Sequence, residues 1–97
     1  MKLIWTSHAK SNLRDIVSYI SQEDPAAARK IKDRIGGVAM YLTRQPFMGR
    51  TGAIPGTREA VSHPSYRMVY QVSEEAIFIL AVVHTARQWP PVEGESN

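Results

Sequence analysis

Ala76–Val83 (AIFILAVV) is an unbroken apolar run of eight residues, rich in β-branched and aromatic types. It has no polar face and is too short for most helices, so it predicts a central strand buried on both sides. Just before it, Arg67–Val72 alternates, with Met68, Tyr70 and Val72 on one face and Arg67, Val69 and Gln71 on the other. The polar stretch Ser73-Glu74-Glu75 between the two predicts an antiparallel hairpin. Arg58–Ser62 supplies a third strand, turned by Ser62-His63-Pro64-Ser65. This sheet places Arg58, Glu59, Arg67, His84 and Arg87 at strand ends or on one face, where any chemistry must be sought.

The N-terminal half reads as helical. Lys2–Trp5 is a short apolar strand of the same sheet. Thr6 or Ser7 caps a helix whose apolar positions, Ala9, Leu13, Ile16, Val17 and Ile20, share one face and which ends near Ser21. Asp24 and Pro25 then restart the chain as a second helix, the first as N-cap and the second at the first helical position. Its stripe is Ala27, Ala28, Ile31, Ile35, Val38 and Leu42. Gly36 and Gly37 interrupt it at a cost of about 1 kcal/mol each, and either admit a close neighbour or loosen the helix. The two helices form an antiparallel hairpin. Gln45–Gly56 (QPFMGRTGAIPG) reads as loop and Pro90–Asn97 as a frayed tail. The order is β-α-α-β-β-β, an α+β fold in one domain of 97 residues.

Composition narrows the functional classes. There is no cysteine, which excludes a disulfide scaffold and a thiolate zinc site and fits a reducing cytoplasm. The N-terminus lacks the features of a signal peptide, and no apolar run approaches a membrane span. His8, His63 and His84 are too widely spaced for a metal motif, so neither metal nor cofactor is expected. Between Ala26 and Val72 eight basic residues (Arg29, Lys30, Lys32, Arg34, Arg44, Arg50, Arg58, Arg67) face only Asp33 and Glu59, a bias suited to a polyanion or an acidic protein.

Metal-free RNA cleavage needs a base for the 2′-hydroxyl, an acid for the leaving oxygen, and cations for the charge on phosphate. Glu59 or His84 supplies the base, His84 the acid, and Arg50, Arg67 and Arg87 the cations. A strand-end imidazole also serves simply to bond the backbone, and Arg67 simply to pair with a carboxylate. Arg58 and Glu59 are adjacent on a strand and point to opposite faces, so they do not act together.

The ordered set GTREAVSHPSYRMVYQV, a short acidic turn, IFILAVVH and ARQWP resembles the ParE/RelE superfamily of type II toxins. AKSNLRDIVSYISQEDPAAARKI followed by QPFMGR is similar to the superfamily's N-terminal half, so the likeness spans roughly Leu3 to Pro91. The resemblance implies one of two activities. In the RelE branch the toxin cleaves mRNA in the ribosome, and Arg67 matches the sheet arginine while His84 sits where some members carry a working histidine. In the ParE branch the toxin poisons DNA gyrase without chemistry of its own. The ending His84-x-x-Arg87-x-Trp89-Pro90, with no tyrosine after His84 and no lysine cluster, resembles the ParE branch. There Arg87 and Trp89 are the first target contacts, being residue types that concentrate binding energy, with Arg50 and Arg58 beside them. A member that has lost activity but still binds its antitoxin is the third possibility. The resemblance further implies a cognate antitoxin in a hetero-oligomer, an acidic segment that is disordered alone and folds on the toxin.

Overall fold

The apolar run forms β5 (Ala76–His84), the longest strand, which lies between β1 (Lys2–Trp5) and β4 (Tyr66–Val72). The computed structural model describes residues 1–91. Between the first strand and the rest run α1 (Ser7–Ser21) and α2 (Pro25–Leu42), followed by β2 (Arg50–Thr51) and β3 (Arg58–His63). The sheet order is β1-β5-β4-β3-β2, with β1 parallel to β5 and every other pair antiparallel. The α+β order expected from sequence is present, and the frayed-tail expectation for 92–97 lies outside the described residues.

Capping chemistry sets the helix starts. Thr6 Oγ1 accepts from Ala9 N–H at 3.2 Å and donates to Ile79 O at 2.9 Å, so one side chain begins α1 and ties it to β5. Asp24 Oδ1 accepts from Ala27 N–H at 3.1 Å, with Pro25 in the first turn of α2. Both helices lie on one face of the sheet. Ala9, Ile35, Ala39 and Leu42 pack there against Ala60, Met68, Tyr70, Ile77, Ile79 and Val82. On the opposite face Glu59, Val69 and Ala81 are also buried, while Val61 is exposed.

The strand pairing contains a break that the alternation did not reveal. Val69 pairs with Ala81 but Tyr70 with Ile79, so Leu80 is an extra residue in β5. Ile77, Ile79 and Val82 therefore all reach the helical core, at spacings of two and then three. Val82 N–H donates to Asn12 Oδ1 of α1 at 3.1 Å, fixing the helix against the bulged stretch.

Two expectations are corrected. Arg50–Thr51, read as loop, is β2 and pairs with Glu59 and Arg58. A two-residue strand has no periodicity to read; contacts from across the sheet hold it. The rest of the segment turns at Ile54–Thr57, where Thr57 N–H donates to Ile54 O at 3.1 Å and Gly56 takes φ +83°, the geometry of a Pro-Gly type II turn. Second, α2 runs unbroken through Gly36 and Gly37, and among the described residues outside the helix nothing lies within 4 Å of where a Cβ would stand on either.

Candidate functional site

The register of the sheet decides which charged residues meet. Side chains of directly paired residues share a face, and successive residues alternate. Arg50 pairs with Glu59, Glu59 with Val69, and Val61 with Arg67, so Arg50, Glu59 and Arg67 share the face away from the helices. Arg58 pairs with Tyr70 and Tyr66 with His84, which puts Arg58 and His84 on the helical side.

Glu59 is the centre of the first group. Its side chain is 5% exposed and lies 3.5 Å from Arg67 Nε and 3.6 Å from Arg50 Nη2, both measured to Oε1. Its Oε2 accepts from Ala53 N–H at 3.0 Å. Arg67 is 18% exposed and Arg50 is 73% exposed. The buried Arg67 Nε faces Glu59 without the alignment of a hydrogen bond. These residues line a shallow cleft of about 380 Å³ with Met48, Val61 and Thr85. Two guanidinium groups on one carboxylate leave the cleft cationic, and Arg50 is its exposed charge.

Arg58 is engaged elsewhere. Its Nη1 donates to Gly49 O at 2.8 Å and its guanidinium carbon lies 4.9 Å from the Phe47 ring centroid. Tyr70 anchors the same segment from the core: its hydroxyl donates to Pro46 O at 2.8 Å and accepts from Gly49 N–H at 2.9 Å. Local sequence marks Tyr70 only as a core aromatic, because both partners lie more than twenty residues away in the chain. Burial pushes the Tyr70 phenol above its ordinary value of 10.0, against the opposing pull of the Gly49 amide and the Arg58 charge.

That anchor has a measurable consequence. Tyr70→Phe leaves the Gly49 amide and the Pro46 carbonyl without their partner and is expected to cost about 1–3 kcal/mol at neutral pH. The folded chain also holds the phenolic proton more tightly than the unfolded chain does. Stability is therefore undiminished below about pH 10 and falls as pH rises through the native ionisation. Urea unfolding from neutral to strongly alkaline pH should show a shallower alkaline loss in Tyr70→Phe than in the parent. Parallel curves would remove Tyr70 as a source of that loss.

His84 sits in a different setting. Its Nδ1 accepts from Ala86 N–H at 3.0 Å, and Tyr66 packs edge-on against it with ring centroids 5.4 Å apart. It thus bonds a backbone amide at the strand end, rather than joining Glu59 and Arg67 on the far face. His63 repeats the arrangement, its Nδ1 accepting from Ser65 N–H at 3.0 Å and its ring 5.7 Å from Tyr66. Arg87 is exposed in the turn beyond β5, and Trp89 is half-buried with its indole nitrogen shielded. The structure thus brings together Arg50, Glu59 and Arg67, and sets Arg58 and His84 apart from them. Among the described residues no group of three or more His, Cys, Asp or Glu is placed to hold a metal, and no helix is long and apolar enough to cross a membrane.

A second depression, of about 400 Å³, lies against the helical hairpin. Trp5, Leu13 and Val17 form its apolar part, and Lys10, Arg14 and Lys32 its charged rim. β1, beside it, is an edge strand of the sheet.

Comparison with known proteins identifies the fold. The family described as ParE toxin of type II toxin-antitoxin system, parDE, matches residues 3–89. The putative toxin Y4kP of Sinorhizobium fredii is 38% identical over 92 residues, which is 94% of this chain and 95% of the relative. Toxin RelE2 of Caulobacter vibrioides is 34% identical over 86 residues, 89% of this chain and 97% of that one. Among solved structures, the chromosomal ParDE TA system from P. aeruginosa gives a TM-score of 0.75 at 25% identity, covering 87% of this chain and 95% of its counterpart. With the hairpin, the sheet and nearly the full length of the relatives accounted for, this chain belongs to the ParE toxin family of type II toxin–antitoxin systems.

Proposed function

We propose that the protein arrests growth in the cytoplasm by binding DNA gyrase, with no chemistry of its own, and that a cognate antitoxin neutralises it. The carrying observation is the separation of the acid–base candidates. Glu59 is enclosed by Arg50, Arg67 and the Ala53 amide, while His84 belongs to the opposite sheet face. General acid–base cleavage needs both groups within reach of one phosphodiester, and this arrangement favours a binding surface instead. Arg50, with Arg87 and Trp89 beyond β5, supplies the residue types for contacting a large partner.

The second depression supports a docking place for the antitoxin. An acidic segment laying an apolar side chain over Trp5, Leu13 and Val17 would meet Lys10, Arg14 and Lys32 around it. It would also find the edge of β1 open to strand addition.

Expression without antitoxin tests the reading. DNA breaks with an SOS response and filamentation are expected, together with inhibition of supercoiling by purified gyrase. His84→Ala should remain as toxic as the parent, and Arg87→Ala combined with Trp89→Ala should weaken inhibition at least tenfold. Rapid translation arrest with mRNA cut at ribosomal A-sites, lost in His84→Ala, would replace this reading with the RelE-type nuclease. No toxicity from soluble, folded protein would leave an inactive antitoxin-binding relative.

A further inference from the structure

The backbone from Gln45 to Gly49 is pinned to the body of the protein. The buried Tyr70 hydroxyl holds the Pro46 carbonyl and the Gly49 amide, Arg58 Nη1 donates to Gly49 O, and Met48 N–H donates to Gln45 O at 3.2 Å. Between these bonds the segment turns its two largest side chains outward, Phe47 at 66% and Met48 at 48% exposure. Met48 borders the cleft on the far face of the sheet together with Val61, which is 72% exposed. Phe47 meets the guanidinium of Arg58, which comes from the helical side. A loose loop loses conformational freedom when a partner orders it. This one is already ordered by the fold, so its apolar side chains can be covered without that cost.

The surrounding charge says what kind of partner fits. From Thr43 to Arg58 the chain carries Arg44, Arg50 and Arg58 and no acidic residue. Glu59, which follows, is buried against Arg67 and Arg50. Thr85 closes the same cleft, and the exposed Arg87 stands two residues beyond it, so the cationic surface continues to the turn after β5. A second copy of the chain would bring arginine against arginine. Phosphates of a nucleic acid would answer the arginines but leave Met48 and Val61 uncovered. An acidic protein surface with an apolar centre answers both.

We infer that Phe47 and Met48 are the rigid apolar anchor by which the protein holds its target, seated in a hydrophobic pocket rimmed by carboxylates on DNA gyrase. The inference rests on the gyrase reading and adds to it the residues that carry the affinity. Phe47, Met48 and Val61 supply the desolvated centre of the contact, and Arg44, Arg50 and Arg87 its charged rim. The two parts act on different steps: the rim steers the encounter, and the anchor slows dissociation.

Binding of the purified chain to immobilised, DNA-free gyrase, with inhibition of supercoiling measured alongside, tests it. Phe47→Ala combined with Met48→Ala should weaken binding by about tenfold or more, chiefly through faster dissociation, and weaken inhibition to match. Its melting temperature should stay within about 5 °C of the parent's, since it removes exposed side chains and one stacking contact with Arg58. Arg44→Ala combined with Arg50→Ala should slow association roughly threefold or more. Arg29→Ala combined with Lys30→Ala, the same charge change at the exposed start of α2, should slow it far less. A Phe47/Met48 variant that binds gyrase as tightly as the parent overturns the inference and leaves the gyrase reading standing. A parent that does not bind gyrase overturns both. Equal slowing by the two charge variants removes the carboxylate rim. Capture of the parent by a gyrase-free DNA duplex, unaffected by the Phe47/Met48 change, replaces the inference with a nucleic-acid surface.

Discussion

Glu59→Ala is expected to lower stability by about 2–3 kcal/mol, a large share of what a domain of this size holds. The loss has a specific origin. Arg67 is only 18% exposed, so its guanidinium keeps most of the cost of leaving water and loses the carboxylate that offsets it. The Ala53 amide loses its acceptor at the same time. By contrast Arg50→Ala should cost about 0.5 kcal/mol, since Arg50 is 73% exposed and its pairing is screened by solvent. Urea unfolding of both variants measures the difference. A double-mutant cycle with Arg67→Met should recover part of the Glu59 loss, because the stranded charge is then gone. Equal effects for Glu59→Ala and Arg50→Ala would show that burial of the Arg67–Glu59 pair carries no energetic weight.

Gly49→Ala is expected to destabilise the chain by about 3 kcal/mol, with a melting temperature lower by roughly 12–20 °C. A Cβ on Gly49 would stand 2.6 Å from Tyr70 Oη, 2.8 Å from Tyr70 Cε1 and 2.7 Å from the Glu59 carbonyl oxygen. None of these gives way readily. Tyr70 is fully buried and the Glu59 carbonyl belongs to the sheet backbone. Relief therefore comes by lifting Pro46–Arg50 away from β3, which breaks the two hydrogen bonds to the Tyr70 hydroxyl and the one from Arg58 to Gly49 O. Arg50 moves with that segment, so the cleft around Glu59 loses its exposed cation as well. Thermal denaturation decides the first point. A Gly49→Ala chain melting within 3 °C of the parent would mean that the segment relaxes without leaving the sheet.

Much of the architecture was legible beforehand because it depends on consecutive side chains. The helix starts at Thr6 and Asp24, the stripes through Ala9–Ile20 and Ala28–Leu42, and the strand Ala76–His84 are each written into a local spacing. The site was legible only in part. Arg50, Glu59 and Arg67 stood out as charged residues near predicted strands, but their meeting depends on the register of β2, β3 and β4. His84 stood out equally and was grouped with Glu59 and Arg67, although pairing sends it to the helical side, where Arg58 also lies, opposite Glu59 as strand alternation requires. Tyr70 read as a core aromatic and Gly49 as part of a loop, since each acquires its role from the other, 21 residues apart.

The division has one physical cause. Caps, apolar periods and a toxin-like order of motifs are carried by neighbouring residues, whose preferences hold before the chain closes on itself, so fold class and family could be read from the letters alone. Which face of the sheet each charge occupies is a property of pairings between distant strands. There a single extra residue at Leu80 carries β5 from Ile79 to Val82 without losing the core. The cluster around Glu59 and the separation of His84 from it came into view only with the assembled chain.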